Sequence, residues 1–106
     1  MSETYIQIQT TCSSEEEAKN LAAIVVDRRL AACVQVTGPV TSTYRWENQL
    51  ETSQEWLCLI KTTNERFPAV RDTILDVHSY DMPQIISLPI IDGSDAYLEW
   101  IEDQTR

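Results

Sequence analysis

The sequence predicts an α+β domain running β-α-β-β-α-β-α. Three observations carry that reading: apolar alternation over 5–11, two strand-like runs of unusual length over 33–46 and 51–63, and helical stripes behind capping residues at Ser14, Asn64 and Ser94. With 106 residues, 42% of them hydrophobic, the chain is sized for one domain spanning 1–106, and no repeat, low-complexity segment or linker divides it.

Ile6 and Ile8 alternate with Gln7 and Gln9, the period of a half-buried strand. Ser14 followed by Glu17 forms a capping box, and Ala18, Leu21, Ala22, Val25 and Arg29 recur at helical spacing to about Leu30. Glu15, Glu16 and Glu17 then read as a solvated first turn rather than an acidic binding tail. From Cys33 the chain is extended. Gly38-Pro39 interrupts it, and Val40 to Trp46 resumes with β-branched and aromatic residues, most simply as one long strand bent at a bulge.

Glu47-Asn48-Gln49 turns the chain back. The return strand contains Trp56-Leu57-Cys58-Leu59-Ile60, apolar on both alternating faces, as expected where a strand is covered on both sides. Asn64 can cap a second helix with Pro68 in its first turn and a stripe of Phe67, Val70, Ile74, Leu75 and His78. Residues 79–83 are a loop, 84–91 a strand that Pro89 places at an edge or bulge, and Asp92-Gly93 a turn before the last helix, which carries Tyr97, Leu98, Trp100 and Ile101. This order is the split βαβ plan of ferredoxin-like folds: four strands backed on one face by two helices, here with an extra C-terminal helix.

The long hairpin outreaches its helices. A thirteen-residue strand at ~3.3 Å per residue is ~43 Å long, whereas a sixteen-residue helix at ~1.5 Å per residue covers ~24 Å. Roughly half the hairpin is therefore expected to overhang, carrying Tyr44, Trp46 and Trp56, while the helix-free face of the sheet bears further apolar side chains. So much apolar surface is not left in water. The simplest cover is further copies of the chain, joined through strand edges in a closed symmetric assembly.

Eight basic against seventeen acidic residues leave a formal charge of -9, which opposes nucleic-acid and anionic-membrane partners. No apolar span is present and Met1-Ser2-Glu3-Thr4 lacks a signal-peptide pattern, so a cytoplasmic location is expected. The three cysteines, Cys12, Cys33 and Cys58, have no C-x-x-C spacing and are expected as free thiols. No nucleophile elbow or P-loop occurs, and with only two glycines there is no phosphate loop; Asp81 near His78 is the one acid–base pair that can be suggested, and a binding role is expected rather than an enzyme.

The blocks Arg29-Leu30-Ala31-Ala32-Cys33-Val34, Tyr44-Arg45-Trp46, Lys61-Thr62, His78-Ser79-Tyr80-Asp81-Met82-Pro83, Leu88-Pro89-Ile90 and Tyr97-Leu98-Glu99-Trp100 stand in an order that resembles the CutA family of divalent-cation tolerance proteins. The resemblance implies a ferredoxin-like subunit in an interlocked homotrimer, similar to PII signalling proteins, with long hairpins pairing between subunits. It also implies tolerance to copper and other divalent cations, copper binding in some members, a eukaryotic branch linked to anchoring acetylcholinesterase, and no settled enzymatic activity.

Copper-binding members resemble one another in a cysteine ending strand one and a histidine pair before Pro-Tyr; the matching places here hold Thr10, Val77 and His78. Cys12, two residues on and on the same side of the strand, is the substitute ligand, so the metal candidates are Cys12 and His78. Both also have plain roles, as a packed thiol and a helix-end residue. Ser79, Gln84 and Asn48 replace the usual Pro, Glu and Gly, and Gln84 removes a carboxylate.

By analogy with the PII nucleotide cleft, Cys33, Tyr44, Trp46, Lys61 and Tyr80 are the candidate lining of an intersubunit ligand site. The expected function is thus a trimeric metal-homeostasis or signalling protein that binds a small ligand or metal ion. A copper-binding protein proper, a structural scaffold and an unrecognised enzyme stand as alternatives.

Overall fold

The computed structural model describes residues 4–106; Met1, Ser2 and Glu3, the start of the stretch read as lacking a leader, lie outside it. The element order is β1 (Tyr5–Cys12), α1 (Glu15–Asp27), β2 (Cys33–Trp46), β3 (Gln49–Thr63), a 3-10 turn (Asn64–Arg66), α2 (Phe67–Val77), β4 (Ile86–Pro89) and α3 (Asp95–Gln104). The strands form one antiparallel sheet ordered β2-β3-β1-β4.

Strand alternation sends Ile6 and Ile8 of β1 and Cys58 and Ile60 of β3 to one face, where Ala18, Leu21 and Val25 of α1 and Val70 and Ile74 of α2 close over them. Ser14 caps α1 as expected, its hydroxyl accepting from Glu17 N at 3.1 Å. The reciprocal half of the capping box moves one residue back, for Glu17 Oε1 accepts from Ser13 N at 3.1 Å instead.

Several expected boundaries shift. α1 ends at Asp27, not Leu30, because Arg29 takes a left-handed conformation (φ 60°). Leu30 N donates to Val25 O and Arg29 N to Val26 O, a double closure of the helix end usually built on glycine, so no sequence signal announced it. Asn64 does not cap the second helix: it opens the 3-10 turn, and its N–H donates to Thr4 O at 2.9 Å. Leu75, placed on the buried stripe, is exposed. Ser94 stands at the start of α3 with no side-chain capping bond. β4 is four residues rather than eight, pairing with β1 from Ile6↔Pro89 to Gln9↔Ile86.

The largest departure concerns α3. Tyr5 and Cys33 belong to the sheet face opposite Ile6 and Ile8, and both meet α3: Tyr5 OH donates to Glu102 Oε1 at 2.9 Å, and Tyr97 lies against Cys33. The face expected to be bare is therefore covered at one end, with Ile101 fully buried beneath the helix. Arg29 Nη1 and Arg66 Nε donate to Gln104 O and Thr105 O at 3.3 and 2.7 Å, meeting the free carbonyls of the helix end.

The hairpin overhang is present. β1 pairs with β3 only from Trp56 to Thr63, whereas Val40 to Trp46 of β2 pair with Gln49 to Glu55 alone, making a two-stranded ribbon on a molecule 45 Å long. Glu47 and Asn48 turn it with φ of 51° and 64°, the pair of positive values that matches the twist of a two-residue hairpin. Trp56, assigned to the overhang from sequence, sits instead at its root. There Gly38 and Pro39, joined by a cis peptide, oppose Trp56 alone, and a Cβ on Gly38 would lie 2.5 Å from the Trp56 ring.

Candidate functional site

A polar joint locks the root of the ribbon to the helical layer. His78 ends α2 with its side chain 1% exposed. Its Nδ1 accepts from Tyr80 N at 3.0 Å, which leaves the proton on Nε2, donated to Thr11 O at 2.8 Å. Both nitrogens are thus committed in the neutral tautomer. Tyr80 stacks obliquely on the imidazole, centroids 4.8 Å apart, and its hydroxyl donates to Glu55 Oε2 at 2.8 Å on β3, just past the last residue paired with β1.

Glu17 completes the joint from α1. Oε2 accepts from Ser79 N at 2.8 Å and lies 3.7 Å from His78 Nδ1, while Oε1 accepts from Ser13. Burial pushes this carboxyl up, but the donors of Ser79 and Ser13 outweigh it and hold it below the usual glutamate range. Burial, with the Glu55 carboxylate beside it, pushes the Tyr80 hydroxyl well above an ordinary tyrosine. Neither acid is announced by the sequence: Glu17 reads as part of a capping box and a solvated first turn, and Glu55 belongs to no motif. A lone acid directly ahead of the apolar run at Trp56 was the available signal.

Cys12 is fully buried on the helix side of the sheet, its sulfur against that of Cys58. The neighbouring sulfur first, and burial second, push the Cys12 thiol up and keep it protonated. As they stand, Cys12 and His78 do not fit a divalent cation that needs four or more ligands. Neither imidazole nitrogen has a free lone pair, and the described residues contain no group of three His, Cys, Asp or Glu side chains able to surround an ion.

The five candidate cleft residues occupy three places within one chain. Cys33 and Lys61 are cross-strand partners at the end of the sheet under α3, where Lys61 Nζ donates to Gln35 Oε1. Tyr80 is at the ribbon root. Tyr44 and Trp46 lie along the ribbon to its tip, Tyr44 OH meeting Ser53 Oγ at 3.2 Å. One chain therefore does not bring the five together.

A four-stranded ferredoxin-like sheet with a projecting ribbon and an added helix across its second face defines the class of protein. The family described as "CutA1 divalent ion tolerance protein" matches residues 6–104, and the chain belongs to it. It is 41% identical over 95 residues to the divalent-cation tolerance protein CutA of Thermus thermophilus, covering 90% of this chain and 92% of that one. It is 38% identical over 101 residues to Protein CutA, chloroplastic, of Arabidopsis thaliana, covering 95% of this chain but 56% of the relative, so it spans little more than half of that protein's length. A solved structure of the divalent cation tolerance protein from Thermus thermophilus agrees with a TM-score of 0.94 at 38% identity, over 96% of this chain and 99% of that one.

Proposed function

We propose that the chain acts as a homotrimeric, non-catalytic divalent-cation tolerance protein in metal homeostasis or signalling, binding a small ligand at clefts between subunits. The observation that carries the reading is the ribbon: Tyr44, Trp46 and Leu50 are 41%, 48% and 73% exposed, with no helix or third strand among the described residues over them. Copies that interlock would bury these side chains and set a partner's Tyr44 and Trp46 beside Cys33 and Lys61, where an ammonium at the end of an apolar strand suits an anionic ligand. The three free thiols suit a reducing compartment, hence a cytoplasmic site of action.

Sedimentation velocity at micromolar concentration should give one species at about three times the chain mass of 12.2 kDa. A stable folded monomer would contradict the assembly. Native mass spectrometry of protein taken directly from cells should show a retained small molecule that Lys61→Ala releases without dissolving the trimer. Turnover of a substrate that Lys61→Ala abolishes would replace this reading with an enzymatic one.

A further inference from the structure

The helix side of the sheet holds a second arrangement that the cleft does not use. The β1–β3 register sets Thr10 opposite Cys58 and Cys12 opposite Trp56, so Cys12 and Cys58 are diagonal neighbours on one face, with Thr10 beside both as the cross-strand partner of Cys58. All three are fully buried. The Cys58 thiol points toward Ala18 O of α1 at 4.0 Å. Among the described residues, Thr10 Oγ1 is the one fully buried side-chain N or O atom with no hydrogen-bond partner, whereas the buried hydroxyls of Thr62, Thr73 and Thr105 each donate to a carbonyl.

We propose that Cys12 and Cys58 form a two-coordinate site for a soft divalent cation of the Hg(II) class, with the Thr10 hydroxyl beside it as a weak oxygen contact. Ligand type sets softness: two thiolates favour thiophilic ions. Ligand number sets coordination, because no third thiol, imidazole or carboxylate joins the pair, which leaves zinc and cadmium unsatisfied. Charge sets valence. The reaction M(II) + 2 RSH → M(SR)2 + 2 H+ forms two metal–sulfur bonds, breaks two S–H bonds and leaves the buried site neutral. A monovalent ion held by both thiolates leaves one negative charge in an interior near the carboxylates Glu17 and Glu55, and held by one thiolate it leaves the second proton in place. Each thiol gives up its proton on binding the metal, so uptake releases protons and weakens as pH falls.

The test uses the Cys33→Ser protein, which removes the half-buried thiol on the other face. Titration with mercuric chloride at neutral pH should saturate at one ion per chain by native mass spectrometry. It should release two protons per ion and lower the thiol count after denaturation from two to zero. In the same background, Cys12→Ala and Cys58→Ala should each lose the second proton and the paired blocking, and Ag(I) should be displaced by an equivalent of Hg(II). If either alanine variant fails to fold, alkylation of the metal-treated Cys33→Ser protein decides: both thiols blocked together by one ion supports the site. One blocked thiol, two ions per chain, or tight binding that survives both alanine substitutions overturns it.

Discussion

The body of the sheet and the ribbon that extends from it are built from the same two strands, yet they hold their shape in different ways. In the body, Cys58, Ile60 and Thr62 of β3 are sealed beneath α1 and α2, and pairing runs through four strands. In the ribbon each strand has one partner, and most side chains from Thr41 to Gln54 are exposed. Isolated two-stranded hairpins are marginal in water. The lesson is that the body folds by its own burial, whereas the ribbon depends on the Gly38–Trp56 contact, the Tyr80–Glu55 clasp at its root and whatever lies against it.

The largest expected effect is in the body. Ile60→Ala should destabilise the chain by about 2–5 kcal/mol in chemical denaturation, since the vacated volume sits between sheet and helices. Gly38→Ala comes next: its Cβ would strike the Trp56 ring, at an expected loss of about 1–3 kcal/mol with a change in tryptophan fluorescence. Unchanged fluorescence would show that the root adapts, removing one support of the contrast.

Tyr80→Phe should lose about 1.5 kcal/mol by leaving Glu55 without its donor. It carries a pH signature. Tyr80 ionises later in the folded protein than in the unfolded chain, so its contribution is complete below about pH 10 and is lost as pH rises toward the folded value. The substitution should therefore flatten the alkaline decline in stability. Glu17 works with the opposite sign: its lowered pKa gives stability that is present above about pH 4.3 and is lost as pH falls through the folded value, so Glu17→Gln should flatten the acid side. Smallest is Trp46→Ser, which should change the folding of the chain by less than about 0.5 kcal/mol. It should show mainly as weaker association in sedimentation, and a large loss of folded content would place the tip within the body's cooperative unit.

Much of the body was legible because its chemistry is periodic. Ile6, Ile8, Leu21, Val25, Val70 and Ile74 announce their faces by spacing alone. α3 was legible as a helix but not as a cover for the second face, because an apolar stripe says that a helix packs and not against which side. Arg29 hid a helix end that only glycine or asparagine would have advertised. The joint was half-legible: His78 and Tyr80 stood out in a recognisable block, whereas Glu17 and Glu55 are brought to them by tertiary packing. The Cys12–Cys58 pairing was invisible for a related reason, since it rests on the register between two strands separated by a helix and a third strand.

The two outer strands differ in length, fourteen residues for β2 against four for β4, and Pro89 terminates the shorter one. Growth of a sheet from molecule to molecule requires that every unit offer two extended borders, one to receive and one to give. In this chain the long free borders lie on the ribbon, β2 on one side and Gln49 to Glu55 of β3 on the other, while β4 offers four residues. An assembly that closes on itself through those two borders leaves none free to propagate a fibre.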